Sequence, residues 1–338
     1  AAVVHLYFNI VGTIAFMGVF YLLNTFLHFS FINDVAGPAG IAVIHSAFNV
    51  IATVVLLPFG DILVKMACAT IRDTKEEKAI SEEDQEFMIL ESRFLSNPGI
   101  AIEQSKTAAK KMAEQSQNAL KLSFGLLDTF QEENAFRVEK IEAKVDRYED
   151  ELGTYLIKLN QKELSVEDSH SLSIMLHCIG DFERISDHAL SIMKSAKEMW
   201  EKNAVFSPQA VKELHVMEKA VVDIVDKAYA VFANQDIQLA EEIEPLEEVI
   251  DELSRELKRR HVNRLRAGEC TIEMGFILSD VTTSLERIAD HCSNIGVCVT
   301  QVREDLYDTH SHLDTVKNAP GELFHHELEV ARVNYMLP

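Results

Sequence analysis

Four acidic pairs with one spacing occupy matched positions in two halves of this 338-residue chain: each is a glutamate followed four residues later by an aspartate. Two of the pairs lie inside the string Glu-Arg-Ile-x-Asp-His, which begins at Glu183 and again at Glu286. The other two begin at Glu142 and Glu247, upstream of each string. Residues four apart share one face of a helix, so each pair brings two carboxylates together. Such carboxylates repel one another unless a cation lies between them.

The repeated pairs predict two metal sites, one in each half of the pattern. An oxygen-rich group of carboxylates suits a hard divalent cation such as magnesium, and an added histidine nitrogen suits iron, manganese or zinc. The alternative is that the acids are solvated or pair with Arg184 and Arg287 in the same strings. The predicted ligands are Glu142, Asp146, Glu183 and Asp187 in the first site and Glu247, Asp251, Glu286 and Asp290 in the second, with His188 and His291 as additional candidates.

A second repeat lies at the apolar start of the chain. Residues 2–13 and 42–53 are identical at six of twelve positions and share His-x-x-Phe-Asn followed by a threonine. On a helix the shared polar residues form one stripe, which inside lipid faces either an ion path or a partner helix. Two antiparallel copies are typical of inverted-repeat transporters. The candidate transport path is therefore His5, Asn9 and Thr13 with His45, Asn49 and Thr53.

The elements that carry this second repeat are predicted to be membrane helices. Residues 3–32 and 41–64 are almost wholly apolar and exceed the length that spans a bilayer, and 33–40 is a run of turn residues. The two spans are therefore antiparallel. Lys65, Arg72, Lys75 and Lys78 follow the second span, which places the remaining chain in the cytoplasm.

The acidic pairs lie on long amphipathic helices. Six stripes of apolar residues have helical spacing, and they form three-helix repeats at about 99–201 and 207–303. The stripes run over about 99–131, 134–163, 165–201, 207–233, 236–266 and 271–303. The predicted fold is all-α: two transmembrane helices followed by a tandem of three-helix bundles. The predicted domains are a membrane segment at 1–66, a linker at 67–97, a helical domain at 98–305 and a tail at 306–338. The amphipathic stretch of the tail is expected either to dock back onto the bundle or to stay partly disordered.

Charge and composition exclude several classes of function. The formal charge of −22 divides into −2 for residues 1–64 and −20 for the rest, which argues against a nucleic-acid binder, because such a protein needs a basic face. We find no P-loop, no Gly-x-Ser-x-Gly and no nucleophile–base pair, which argues against an enzyme. The five scattered cysteines without a Cys-x-x-Cys pair fit reduced thiols in a cytoplasmic domain.

The helical part resembles the PhoU family, through its duplicated Glu-Arg-Ile-x-Asp-His strings and the acidic pair on the helix before each. That family consists of paired three-helix bundles whose acidic motifs bind metal clusters and which regulate phosphate uptake. The resemblance implies a metal cofactor, a homodimer or phosphate-signalling proteins as partners, and a regulatory rather than enzymatic role.

The His-x-x-Phe-Asn spans resemble the last part of the bacterial sodium-dependent phosphate cotransporters, whose members can carry a PhoU-like C-terminal domain. The resemblance implies a multi-pass inner-membrane protein that moves inorganic phosphate with sodium, of which this chain is a C-terminal fragment. The chain lacks the Gln-Ser-Ser motifs with which that family is taken to bind phosphate and sodium. The alternative is a membrane-tethered PhoU-like regulator that transports nothing itself.

Overall fold

The computed structural model describes residues 2–29, 32, 37–60, 62, 87–303 and 322–338, and every regular element in these residues is helical. The architecture confirms the all-α fold class. The chain divides into two compact units, Ala1–Asp84 and Gln85–Pro338. Lys65, Arg72, Lys75 and Lys78, and residues 67–86 of the predicted linker, lie outside the described residues.

The first unit contains α1 (Ala2–Leu27) and α2 (Pro38–Leu56). Helix α1 ends before the predicted limit at residue 32, because His28 adopts a left-handed φ of 46° and the Asn24 side chain accepts a hydrogen bond from the Phe29 amide. Helix α2 begins inside the predicted turn 33–40, since Pro38 occupies the first helical position, where its missing N–H costs nothing.

Both helices of this unit leave most of their apolar surface exposed. The segments Leu6–Leu27 and Gly40–Phe59 have mean hydropathies of 1.9 and 2.1, and 6% and 11% of them is buried. They contact each other at Gly12, where an added Cβ would lie 3.4 Å from the Ala52 Cβ, and the Phe16 and Phe48 rings meet edge to face. By length and composition both segments are candidate membrane spans, and a core helix of a soluble protein would instead be buried.

The second unit consists of two consecutive three-helix repeats. Serines cap two of the helices, since the Ser165 and Ser207 side chains accept hydrogen bonds from backbone amides of the first turn. The first repeat contains α3 (Pro98–Asp128), α4 (Glu132–Leu159) and α5 (Val166–Glu201). The second contains α6 (Pro208–Asn234), the four-residue helix α7 (Ile237–Ala240), α8 (Ile243–Arg266) and α9 (Ile272–Arg303), and its three long helices are α6, α8 and α9.

One helix differs from its sequence-based prediction. The apolar stripe at 236–266 predicts one continuous helix, but the structure breaks it between α7 and α8. The physical reason is Pro245, which has no amide hydrogen and is tolerated only in the first turn of a helix. Helix α8 therefore starts two residues before this proline.

Helices α5 and α9 pack against each other at the centre, and one hydrophobic core extends through both repeats. Polar anchors fix α3 on α5: the Ser116 and Ser123 hydroxyls donate to the carbonyls of Phe182 and Ala189 at 2.8 and 2.7 Å. Both Glu-Arg-Ile-x-Asp-His strings thus lie on the two central helices. Three of the predicted core cysteines, Cys178, Cys292 and Cys298, are buried free thiols.

Each repeat is covered by a flanking segment. In the first, Phe87 contacts α4, with its ring centroid 4.7 Å from that of Tyr148 and the Arg147 guanidinium 4.2 Å above it. In the second, α10 (Glu322–Asn334) packs on α8 and ends near Tyr335, a buried residue. The predicted docking of the tail is confirmed, and its buried apolar residues are Leu328, Ala331 and Tyr335.

Candidate metal centre

Three of the predicted ligands in the second repeat converge. Glu247 and Asp251 lie on α8 and Asp290 lies on α9, and one carboxylate oxygen from each falls within 4.8 Å of the other two. The spacing of four on α8 aligns the first two residues, and the packing of α9 supplies the third. These three carboxylate oxygens are close enough to one another to bind a single metal ion.

The fourth predicted ligand of this site is engaged elsewhere. The Ser254 hydroxyl donates a hydrogen bond of 2.9 Å to Glu286, and the Lys258 ammonium lies 3.5 Å from the same carboxylate oxygen. Glu286 therefore borders the three converging carboxylates and is held by a serine and a lysine. Asp290 has an arginine near it, because Arg287 lies one turn before on α9 at 3.5 Å.

The chemistry of the second site fits a cation. Burial raises the pKa of Asp251, and the neighbouring charges of Glu286 and Asp290 raise it further. The Asp251 Oδ1 atom is buried and has no hydrogen-bond partner among the described residues. A divalent cation between these carboxylates would satisfy that oxygen and remove the repulsion that raises the pKa.

Among the described residues, no three of the four predicted ligands of the first repeat approach one another as closely as those of the second. Glu142 and Asp146 lie on α4, and Glu183 and Asp187 lie on α5. The Arg184 side chain lies over the α5 pair, with Nε 3.3 Å from Glu183 and Nη1 3.1 Å from Asp187. This arginine takes up part of the negative charge that a cation would neutralise.

The carboxylates of the first repeat nevertheless influence the pKa values of one another. Burial raises the pKa of Glu142, and Asp187 and Asp146 add to the effect. Burial and then Asp187 raise the pKa of Glu183 to about 7. The Asp187 and Asp146 charges thus act on both Glu142 and Glu183, and a cation among these carboxylates would lower both pKa values.

The two candidate histidine ligands meet each other instead of joining the carboxylates. The ring centroids of His188 and His291 are 5.9 Å apart, between α5 and α9. The His291 Nδ1 atom lies 2.9 Å from Asp181 Oδ1, to which the Asn294 amide also donates, at 3.3 Å. Burial lowers the pKa of His188, and the nearby His291 lowers it further.

Asp181 is a residue that the motif analysis did not single out. It lies two residues before the first Glu-Arg-Ile-x-Asp-His string, and the matching position before the second string is Ser284. That asymmetry between the repeats was the available signal. The structure shows its consequence, because a single carboxylate serves the histidine of the opposite repeat.

The polar stripe of α2, the second candidate membrane span, lies on one face. The Asn49 amide is 3.0 Å from His45 Nε2, and the Thr53 hydroxyl donates to the Asn49 carbonyl at 2.7 Å. A groove between α1 and α2 is lined by Thr13 and His45, one from each stripe. Asn9 is half-buried, and the side chain of His5 lies outside the described residues.

Tandem three-helix repeats with acidic pairs on their second and third helices define a class of paired helical bundles with surface carboxylate clusters. The family model described as PhoU domain matches residues 109–196 and 214–299, just over half of the chain. The chain belongs to the PhoU domain family.

Two relatives carry the same family name. The phosphate-specific transport system accessory protein PhoU homolog 1 of Thermotoga maritima is 30% identical over 115 residues, which are 34% of this chain and 49% of that protein. The PhoU homolog of Deinococcus radiodurans, with the same accessory-protein title, is 22% identical over 160 residues, or 47% of this chain and 74% of that one. The chain thus spans about half the length of the first relative.

Two solved structures share the fold. PhoU from Pseudomonas aeruginosa aligns with a TM-score of 0.51 and 21% identity, over 62% of this chain and 97% of that one. The phosphate transport system regulatory protein PhoU from Streptococcus pneumoniae aligns with a TM-score of 0.56 and 17% identity, over 63% and 100%. At these identities the comparison supports the bundle architecture.

Proposed function

We propose that the helical unit is a metal-responsive regulator of phosphate uptake, and that the apolar unit joins it to the membrane domain of a sodium-dependent phosphate symporter. The observation that carries the regulatory half is the convergence of Glu247, Asp251 and Asp290 within 4.8 Å on a PhoU-family bundle. The titles of the relatives, accessory and regulatory proteins of phosphate transport, support the same role.

In this proposal the acidic clusters bind a divalent cation and perform no catalysis. Glu247, Asp251 and Asp290 hold the cation in the second repeat, with Glu286 at its border. Because ligands come from both α8 and α9, occupancy draws these two helices together. In the first repeat, the cation competes with Arg184 for Glu183 and Asp187. Magnesium, manganese, iron and zinc are the candidate metals.

The transport half of the proposal depends on the duplicated stripes. In the groove between α1 and α2, Thr13 and His45 offer a hydroxyl and an imidazole in an otherwise apolar surface. Polar groups in lipid are costly and characteristically serve an ion or substrate path. In this proposal the transported species are sodium and inorganic phosphate, and the helical unit lies on the cytoplasmic side of the inner membrane.

A second candidate is a membrane-tethered regulator without transport activity, acting on a separate transporter or signalling partner. Two observations favour it. The family match is confined to the helical unit, and the His45–Asn49–Thr53 stripe makes its hydrogen bonds within α2, as structural polar residues do.

Uptake of radiolabelled phosphate by vesicles containing the intact gene product separates the two candidates. A symporter accumulates phosphate when a sodium gradient is imposed and stops when the gradient is collapsed. A tether accumulates none.

The regulatory claim is tested in the same vesicles with a double variant, Asp251→Asn with Asp290→Asn, and with Glu248→Gln as the matched control. Glu248 is next to Glu247 on α8 but pairs with Arg255. We expect uptake to lose its response to chelator in the double variant and to keep it in the control. An unchanged response in the double variant would contradict regulation through this site. For a tether, the corresponding readout is uptake by cells that also contain the separate transporter.

A further inference from the structure

The C-terminal part of α8 is a concentrated basic segment in an acidic protein. Residues 258–266 contain five lysines and arginines and no acid, although the whole chain carries a formal charge of −22. Cations at a helix C-terminus are favoured by the helix dipole, which accounts for part of this pattern. The contacts of the individual arginines show that the dipole does not account for all of it.

Three of these arginines share two glutamates. Arg259 donates two hydrogen bonds to Glu256, at 2.7 and 2.6 Å. Arg260 donates to Glu256 at 2.9 Å and to Glu213 at 3.0 Å. Arg264 donates through Nη1 to the other oxygen of Glu213, at 2.7 Å. Arg260 also donates through Nη1 to the Pro338 carbonyl oxygen, at 2.7 Å, so two glutamates and one backbone oxygen bind the three guanidinium groups.

The guanidinium nitrogens without a hydrogen-bond acceptor lie on one edge of Arg264. This residue is 8% exposed, and its Nε and Nη2 atoms are buried without a hydrogen-bond acceptor among the described residues. Nε and Nη2 form the edge of a guanidinium that binds an oxyanion in a bidentate manner. Leaving two charged donors buried without an acceptor is costly, so an acceptor at this edge stabilises the fold.

The neighbours of Arg264 at the end of α8 are a buried histidine and an exposed turn. His261, one turn earlier on α8, has a lowered pKa because of burial and the nearby Arg264 charge, which favours the neutral imidazole. The turn Ala267–Glu269 that follows α8 is exposed, and the Glu269 amide donates to the Arg264 carbonyl. The end of the helix is thus close to solvent while the guanidinium edge is shielded.

We propose that the end of α8 binds a small oxyanion, of the size of inorganic phosphate, on the Nε–Nη2 edge of Arg264. The site is separate from the acidic clusters and does not depend on metal binding or on transport.

The test is equilibrium dialysis of radiolabelled inorganic phosphate against the purified full chain in sodium-free buffer, in which sodium-coupled binding to the membrane unit is not loaded. We expect saturable binding of one phosphate, displaced by sulfate. Arg264→Lys keeps the charge but removes the bidentate edge, and should weaken binding at least tenfold. Arg259→Lys, on the same helix but exposed, should change the affinity less than twofold.

Far-UV circular dichroism establishes that each variant is folded. If Arg264→Lys loses helicity, the Glu213→Gln variant tests the proposal instead. This change removes the carboxylate that binds Nη1 of Arg264, so phosphate should bind at least as strongly as to the wild type. The proposal is overturned if the wild type binds no phosphate, if the two arginine variants weaken binding equally, as diffuse attraction to the basic segment would, or if Glu213→Gln weakens it.

Discussion

The Nδ1 atom of His291 lies 2.9 Å from the Oδ1 atom of Asp181, and this pair joins the third helices of the two repeats. Both side chains are mostly buried. The pair therefore links the two Glu-Arg-Ile-x-Asp-His strings directly, since His291 belongs to the second string and Asp181 precedes the first.

Replacing Asp181 should loosen the contact between the repeats. Asp181→Leu leaves the His291 and Asn294 donors without their shared acceptor, and we expect a loss of about 1–3 kcal/mol in the free energy of unfolding. Asp226→Leu is the control, because Asp226 makes its hydrogen bonds to Lys121 and Gln117 at the surface and should cost less than about 1 kcal/mol. Urea denaturation followed by circular dichroism measures both, and equal losses would contradict a special role for the inter-repeat pair.

The metal-free protein should lose stability as the pH rises toward neutrality through Glu183. The folded-state pKa of this group is about 7, above its ordinary value of 4.5, so between these values the folded protein binds more protons than the unfolded chain. Stability from this group is present below pH 4.5 and is lost as the pH rises through 7. We expect Glu183→Gln, compared with the wild type in chelator, to flatten the fall in melting temperature between pH 5 and 8. An unchanged slope would show that burial and the Asp187 charge do not hold a proton on Glu183.

His188 should act in the opposite direction. Its folded-state pKa lies below the ordinary value of 6.5, so acidification below that value favours the unfolded chain, which takes up the proton more readily. We expect His188→Gln to reduce the loss of stability on acidification from pH 7 to pH 5. Thermal melts of wild type and variant across this range measure the difference, and parallel curves would contradict the assignment to His188.

The C-terminal helix should be held mainly by its apolar face. Tyr335→Ala removes a buried ring and its hydrogen bond to Asp223, and we expect it to cost about 3 kcal/mol in the local stability of α10. Arg332→Ala removes a half-exposed ion pair with Glu252 and should cost less than about 1 kcal/mol. Hydrogen exchange of residues 322–334 measures both, and a larger effect of the arginine would show that the ion pair dominates.

If the apolar unit belongs to the proposed symporter, the polar stripes should be needed for uptake. Asn49→Leu or Asn9→Leu should reduce sodium-driven phosphate uptake while membrane insertion stays normal, because leucine removes a polar group that an ion path requires. Val50→Leu, on an exposed apolar position of α2, is the matched control. Wild-type uptake in both asparagine variants would assign the stripes to helix packing.

Periodicity alone was sufficient to predict the helices. The stripes at 165–201 and 271–303 match α5 and α9 within a residue, because a buried face with a period of 3.6 leaves little freedom. The break before α8 was missed because a single proline overrode a continuous apolar stripe. The early end of α1 was missed because the side-chain hydrogen bond of Asn24 leaves no pattern in hydropathy.

The candidate site was predictable in its residues but not in its geometry. Repetition of the acidic pairs identified Glu247, Asp251 and Asp290, which converge. It did not show that Ser254 and Lys258 hold Glu286, nor that His188 faces His291, since these contacts depend on which helices pack together and at what rotation. Asp181 escaped notice because it has no counterpart in the second repeat.

The central claim is tested most directly by calorimetric titration of manganese into the chelator-stripped full chain, with melting temperatures recorded in parallel. We predict saturable binding that raises the melting temperature. At a metal concentration of 100 times the dissociation constant, each site should add about 2.7 kcal/mol to the free energy of unfolding. Binding should weaken at low pH, since the ligands must be ionised, and the double variant of Asp251 and Asp290 to asparagine should lose the second-repeat site while Glu248→Gln retains it. If magnesium, manganese, iron and zinc all leave the melt and the heat of titration unchanged, the acidic pairs are a solvated and salt-bridged surface and the metal-responsive account is wrong.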